Sequence, residues 1–178
     1  MTAIEVSRLR WTDVDGVWAF FRRMPDQDRT FVKEPVDDLA TVQRWVGETG
    51  AVRLVATVSG LVVGYAVVHS GVGWSSHVGE LRLVVDADER RKGIGHRLAR
   101  HALAAAIDAG LTKVVVEVAA SQDSTIALFT NLGFHAEALL EDHVRDRNGV
   151  FSDLIVLATR VDEDWALMNT VGLDAPLD

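Results

Sequence analysis

The chain predicts a mixed α/β fold, and three observations carry that expectation. Strand patterns alternate with helix patterns along most of its length. Two tight-turn signals, Ser59-Gly60 and Asn148-Gly149, each fall between two strand patterns. A β-branched run ending at Val85 passes through a basic, glycine-containing turn into a long Ala/Leu-rich stretch, the order strand, loop, helix.

Taken in order, Ile4 to Trp11 reads as a first strand, and Thr12 or Asp13 can cap a helix running through Phe21. Met24-Pro25-Asp26-Gln27-Asp28-Arg29-Thr30 breaks that helix. Asp37 or Asp38 starts a second one through Trp45, stopped around Gly47 and Gly50. Arg53 to Val58 and Leu61 to His69 form a hairpin about Ser59-Gly60. Gly71 to His77 is a loop before a strand at Val78 to Val85. The central helix spans Ile94 to Ala109, with Leu98, Ala102, Ala105 and Ala109 on one stripe and Gly110 as its stop. A strand through Val118, a helix through Leu132, and a hairpin of Ala136 to Arg145 with Val150 to Arg160 complete about seven strands and four helices.

Bulk properties narrow the class. With 178 residues, 48% of them hydrophobic, the chain can build one sizeable core without disulfide or metal staples. It has no cysteine, which excludes a thiol nucleophile and thiolate metal sites and fits a cytoplasmic location. No apolar run is long enough for a membrane span, and no signal-peptide pattern opens the chain. A net charge of −8 argues against nucleic-acid binding through phosphate neutralisation and favours a cationic or amine-bearing partner. The six histidines show no metal-ligand spacing, so no metal is expected.

The most informative segment is Arg90-Arg91-Lys92-Gly93-Ile94-Gly95-His96. Two glycines let backbone N–H groups approach an anion, and the following helix turns its positive end to the same point. A solvated basic turn is the plainer reading; the glycine spacing favours a pyrophosphate site. Leu98 stands where a dinucleotide fold would place its third glycine, and no Gly-Lys-Ser/Thr P-loop is present.

Arg90, Gly93 and Gly95 fill the Gln/Arg-x-x-Gly-x-Gly/Ala pattern of the GNAT superfamily of acyl-CoA-dependent N-acyltransferases, which the chain resembles. A second block, Ile126-Ala127-Leu128-Phe129-Thr130-Asn131-Leu132-Gly133-Phe134, is similar to that family's Ala-Ile-x-Leu-Tyr-x-x-Leu-Gly-Phe. Here Thr125 replaces the Ala, Phe129 the Tyr, and Gln122 an upstream Asn. The resemblance covers residues 1–160 as one domain, leaving 161–178 as a tail. It implies a mixed, mostly antiparallel sheet and direct acetyl transfer from acetyl-CoA to a primary amine of a small molecule or protein. Leu83, Val84 and Val85 would hold the pantetheine arm as an added strand. The pyrophosphate would fall to Arg91, Lys92, Gly93, Ile94, Gly95 and His96, with Arg90 in the same motif.

The acceptor amine must lose a proton, so a base is needed. Glu80 is the first candidate, because the resemblance places a glutamate on this strand. Glu80 and Arg82 share a strand face, however, and a simple ion pair is an equal reading. Glu117, His77 and Asp153 are weaker candidates. Phe129 can pack beside the pantetheine but cannot protonate the leaving thiolate as a Tyr would. Tyr65, the sole tyrosine, is an alternative acid, with packing as its plainer role. The missing acid opens a second reading, a non-catalytic acyl-CoA-binding sensor.

Three further features carry expectations. Trp74 lines the acceptor pocket or anchors its loop. Asp26, Asp28, Glu34, Asp37 and Asp38 either steer an amine or serve as caps and solvated charges. A short helix with Trp165, Leu167 and Met168 packs on the domain or makes a homodimer contact.

Overall fold

A computed structural model of the chain describes residues 3–29, 32–34, 36 and 38–161. The expected tail helix and its dimer contact lie outside these residues, as does Asp37. The elements are β1 (Ile4–Arg8), α1 (Val14–Arg23), the one-turn α2 (Asp26–Arg29), α3 (Leu39–Trp45), β2 (Ala51–Val58), β3 (Leu61–Ser70) and β4 (Val78–Val85). They continue with α4 (Ile94–Asp108), β5 (Lys113–Ala119), α5 (Asp123–Asn131), β6 (His135–Arg145) and β7 (Phe151–Arg160). The seven strands form one mixed sheet in the order β1-β2-β3-β4-β5-β7-β6, in which β4 and β5 are parallel and the other neighbours antiparallel.

The elements follow most of their sequence signals, but the one-turn α2 falls inside the segment expected only to break the first helix, β2 begins at Ala51, and β1 and α4 differ at their ends. Strand β1 ends at Arg8 rather than Trp11, because Trp11–Asp13 form a 3₁₀ turn. The Asp13 carboxylate reaches back to the Arg10 backbone N–H at 2.9 Å, drawing the chain out of the sheet before α1 begins. On α4 the buried stripe is Leu98, Ala99, Ala102, Leu103, Ala105 and Ala106, and Ala109 is exposed. Ala109 is the C-cap, past the last helical residue, where the chain turns off toward Gly110. Asp38 caps α3 as expected, accepting the Thr41 N–H at 2.6 Å.

Each sheet face carries its own core. Leu54, Ala66, Val68, Leu81, Val114, Val116 and Val118 face α4 and α5, where Leu98, Ala102, Leu103 and Phe129 meet them. Opposite, Val55, Tyr65 and Val67 face α1 and α3, with the rings of Phe21, Trp45 and Tyr65 mutually 5.3–5.9 Å apart. Gly64 lets α4 lie flush on β3, since a Cβ there would sit 2.7 Å from Leu98 Cδ1.

The feature that positions the site is a short pairing. Strand β4 bonds to β5 only through Val78–Lys113, Gly79–Val114 and Glu80–Val115. Beyond Glu80 the strands part, while β5 continues along β7 from Lys113 to Ala119. The edge of β4 from Leu81 to Val85 is therefore open on one side, and Glu80 marks the foot of the opening.

Candidate active site

An unpaired β edge in the middle of a sheet leaves backbone donors and acceptors for a ligand to satisfy. Asp86 donates its N–H to Val63 O at 2.9 Å, and in the register of β3 with β4 the alternation turns Val84, Arg82 and Glu80 toward β3. The peptide groups of Leu81, Leu83 and Val85 consequently face the cleft. Of the three strand residues expected to hold an extended arm, Leu83 and Val85 present backbone groups; those of Val84 are taken up by Tyr65 of β3.

The loop after β4 is shaped by local bonds. Asp86 Oδ1 accepts the Asp88 N–H at 3.2 Å, and Ala87–Glu89 form a 3₁₀ turn. Arg91 and Gly93 then adopt positive φ, 61° and 81°, with Gly93 as the N-cap of α4. The first bond into the helix is Arg97 N–H to Gly93 O at 3.0 Å. The N–H groups of Ile94, Gly95 and His96 thus have no acceptor within the helix and point out of its N-terminus. Gly95 presses against α5, where a Cβ would sit 3.0 Å from Leu128 Cδ1 and 3.7 Å from Val85 Cγ2. The exposed N-terminus, next to the open edge of β4, fits a pyrophosphate joined to an extended arm. Burial, then the nearby Arg100, lower the His96 pKa.

The basic side chains of this loop are partly engaged. Arg90 pairs with Asp28 at 2.7 Å and lies 3.4 Å from Val85 O, while Lys92 pairs with Glu89 at 3.0 Å. Arg90 therefore ties the α1–α3 connection to the loop. Phe129 is 3% exposed, its ring 5.1 Å from Phe134. That places it in the core beneath α5, and Leu128 is the α5 side chain that touches the loop.

At the foot of the cleft, on the α1 and α3 side, charged groups gather. Glu80 accepts from Arg82 through both oxygens, at 2.9 and 3.0 Å, and from Lys33 Nζ at 2.9 Å. Lys33 also donates to Glu117 of β5. Next to them Glu34, 8% exposed, meets Arg82, Arg53 at 3.3 Å and His69 at 3.0 Å. Arg53 in turn donates to Glu48 and to the hydroxyl of Tyr65. Burial alone would raise the Glu80 carboxyl, but hydrogen bonds from Arg82 and Lys33 outweigh it and hold the group at about 2. Glu34 is likewise pushed up by burial and brought down to about 2 by His69, Arg82 and Arg53. Lys33 is raised, its two carboxylate partners outweighing burial. Burial raises Tyr65, which is 2% exposed, and its place under Trp45 and Arg53 gives it a packing role.

Other expected residues lie elsewhere. His77 sits at the closed end of β4, beside a polar cavity of about 210 Å³ that includes Lys113, His135 and Glu137. Asp153 accepts the Asp142 N–H at 3.0 Å across the β6 bulge. Trp74 is 96% exposed. The acidic residues before α3 do not act as one group: Asp26 pairs with Arg147 of the β6–β7 turn at 3.3 Å, Asp28 with Arg90, Glu34 is buried, and Asp38 is a cap. Among the described residues no group of three His, Cys, Asp or Glu could hold a metal, and no helix is long and apolar enough to cross a membrane.

Sequence reasoning did not single out the side chains of Lys33 and Leu128 for this region, and it took Glu34 as a steering or solvated charge rather than a buried one. Lys33 and Glu34 lie in an irregular connection with no periodicity to mark their direction. Leu128 is legible only once Gly95 is known to face it.

This geometry has relatives. The acetyltransferase (GNAT) family profile matches residues 18–134. Among solved structures, the chain is similar to a ribosomal-protein-alanine N-acetyltransferase from Brucella melitensis, at 22% identity and TM-score 0.76, covering 88% of this chain and 99% of that one. It is also similar to YncA from Salmonella typhimurium with its cofactor acetyl-CoA, at 19% identity and TM-score 0.78, covering 90% and 95%. A spermidine N-acetyltransferase chimera of Vibrio cholerae SpeG and hSSAT matches at 15% identity and TM-score 0.73, covering 89% and 95%. Those identities speak for the fold. No curated protein sequence matches the chain. On the family match, which spans well over half its length, the chain belongs to the GNAT family of acyl-CoA-dependent N-acyltransferases.

Proposed function

We propose that this protein transfers an acetyl group from acetyl-CoA directly to a primary amine while both are bound. The observation that carries the reading is the union of an open β4 edge with the unsatisfied N–H groups of α4 at its end. Leu83 and Val85 pair with the pantetheine arm as a short added strand. The amides of Ile94, Gly95 and His96 take the pyrophosphate, with Arg91, Lys92 and Gly93 around it. A cleft-facing N–H on β4, from Leu83 or Val85, supports the thioester oxygen as negative charge grows on it.

The chemistry balances without an added cofactor. The amine nitrogen bonds to the acetyl carbon, the carbon–sulfur bond breaks, CoA leaves as a thiol, and one proton passes to solvent. Glu80 stands at the foot of the cleft as an ionised carboxylate. With its pKa near 2 it is a weak base, so its role is to hold the acceptor's ammonium and hand its proton to water. Phe129 supplies no acid, and CoA thiolate leaves well enough for water to protonate it.

A cytosolic location and a single domain over residues 1–160 belong to the same reading. The related structures include acetyltransferases named for a ribosomal-protein alanine and for spermidine, so the fold is compatible with protein and small-molecule acceptors alike. The test is a panel of primary amines with thiol release as readout. Transfer that needs both substrates together, with no acetylated protein accumulating when acetyl-CoA is supplied alone, is the expected result. A stable acetyl-protein able to pass its acetyl group on would replace direct transfer with a covalent route.

A further inference from the structure

We infer that Lys33 is an internal occupant of the seat that receives the acceptor's ammonium, and that Glu80 and Glu117 together form that seat. The inference rests on the acetyltransferase reading and deepens it. Glu80 is the last residue of β4 paired with β5, and Glu117 stands two residues past the last paired residue of β5, Val115. Their carboxylates flank the point where the strands part. Among the described residues, the ammonium placed between them is that of Lys33, which donates to Glu80 Oε1 at 2.9 Å and to Glu117. Lys33 ends in an unbranched butylammonium, so it presents to the cleft the chemistry of a primary alkylamine.

The anchoring of the connection makes displacement feasible. Glu34, the next residue, holds this segment to the sheet through Arg53, Arg82 and His69 at 6% side-chain exposure. Asp28 ties it to Arg90, and Asp26 ties it to Arg147. Lys33 itself is 41% exposed. A half-exposed lysine can swing into solvent while its neighbours keep the connection in place, and surface ion pairs of this kind are weak. Arg82, bonded to Glu80 on its other side, stays as the fixed cation, so one exchangeable positive charge matches the remaining carboxylate charge. The seat therefore selects a primary ammonium on a slender stem and disfavours quaternary cations, which have no N–H to donate.

The test is an amide-resolved NMR titration of the full chain, saturated with CoA, using n-butylammonium chloride as probe and tetramethylammonium chloride as the control cation. Lys33→Met should bind n-butylammonium about tenfold more tightly than wild type, the order expected when a competing internal ligand is removed, with shifts centred on residues 79–81 and 116–118. Lys33→Arg, which keeps the charge, should behave as wild type, and Lys33→Met/Glu117→Gln should lose the gain. Equal affinity in wild type and Lys33→Met, a gain in Lys33→Arg as well, equal response to tetramethylammonium, or shifts elsewhere would overturn the assignment. Acetyl-CoA binding is measured by calorimetry on the same samples. Normal acetyl-CoA binding without the amine effect rejects the Lys33 seat alone, whereas no acetyl-CoA binding in wild type rejects the acetyltransferase reading beneath it.

Discussion

Replacing Glu34 with Gln should destabilise the protein by about 3 kcal/mol at neutral pH, and the loss should fade in acid. Glu34 is nearly buried and faces Arg53, Arg82 and His69, while Arg53 is itself only 6% exposed. The Glu34 carboxyl is held at about 2, against an ordinary value of 4.5. A shift of that size corresponds to about 3 kcal/mol of preference for the ionised form in the folded state. Because the folded value is depressed, this stabilisation is fully present above pH 4.5 and is lost as pH falls toward 2. Gln keeps the shape, but it brings an NH₂ group against arginine donors and leaves Arg53 with Glu48 as its remaining carboxylate. Urea unfolding of wild type and Glu34→Gln at pH 7, 5 and 4 provides the assay. The two free energies should differ by about 3 kcal/mol at pH 7, and the gap should narrow by about 1 kcal/mol at pH 4, where the unfolded carboxyl is largely protonated and the folded one is not. A difference under about 1 kcal/mol at pH 7, the size of an exposed pair, would refute the reasoning. So would a difference that does not change with pH.

Other substitutions separate packing from ligand binding. Gly93→Ala places a Cβ in left-handed backbone, so it should cost about 1–2 kcal/mol in thermal denaturation and weaken acetyl-CoA about tenfold as the helix amides lose their aim; unchanged affinity would show that loop shape is irrelevant to the ligand. Gly64→Ala drives a methyl into Leu98 and should destabilise by about 1–3 kcal/mol, and a variant as stable as wild type would mean that α4 can lift off β3 freely. Phe129→Tyr adds a hydroxyl within the core and should cost about 1–3 kcal/mol with no gain in turnover. A higher kcat would put the ring edge at the thioester after all.

Much of the fold was legible because regular elements write their periodicity into the sequence. Strand β4 runs from Val78 to Val85 as its largely apolar, β-branched residues signalled, and the helix after Gly93 begins where glycine chemistry places it. The turn at Asn148-Gly149 forms, with Gly149 at φ 82°, although Asp146 bonds the Asn148 and Val150 N–H groups and makes the connection longer than a two-residue turn. The glycine-containing loop before α4 was legible for the same local reason. What escaped was set by tertiary contact. Nothing in the order of residues told that Lys33 would reach Glu80 and Glu117, that β3 would claim the peptide groups of Val84, or that Phe129 would turn to Phe134. Glu80 makes the ion pair with Arg82 that strand alternation had foreseen, and a second with Lys33 that it had not.

The open β4 edge and the α4 N-terminus are claimed to form one site for acyl-CoA, and calorimetric titration of the protein with acetyl-CoA, CoA and NAD tests this most directly. Saturable one-to-one binding of acetyl-CoA and CoA, with none of NAD, is the predicted result. Folded protein that binds neither acetyl-CoA nor CoA would contradict the account.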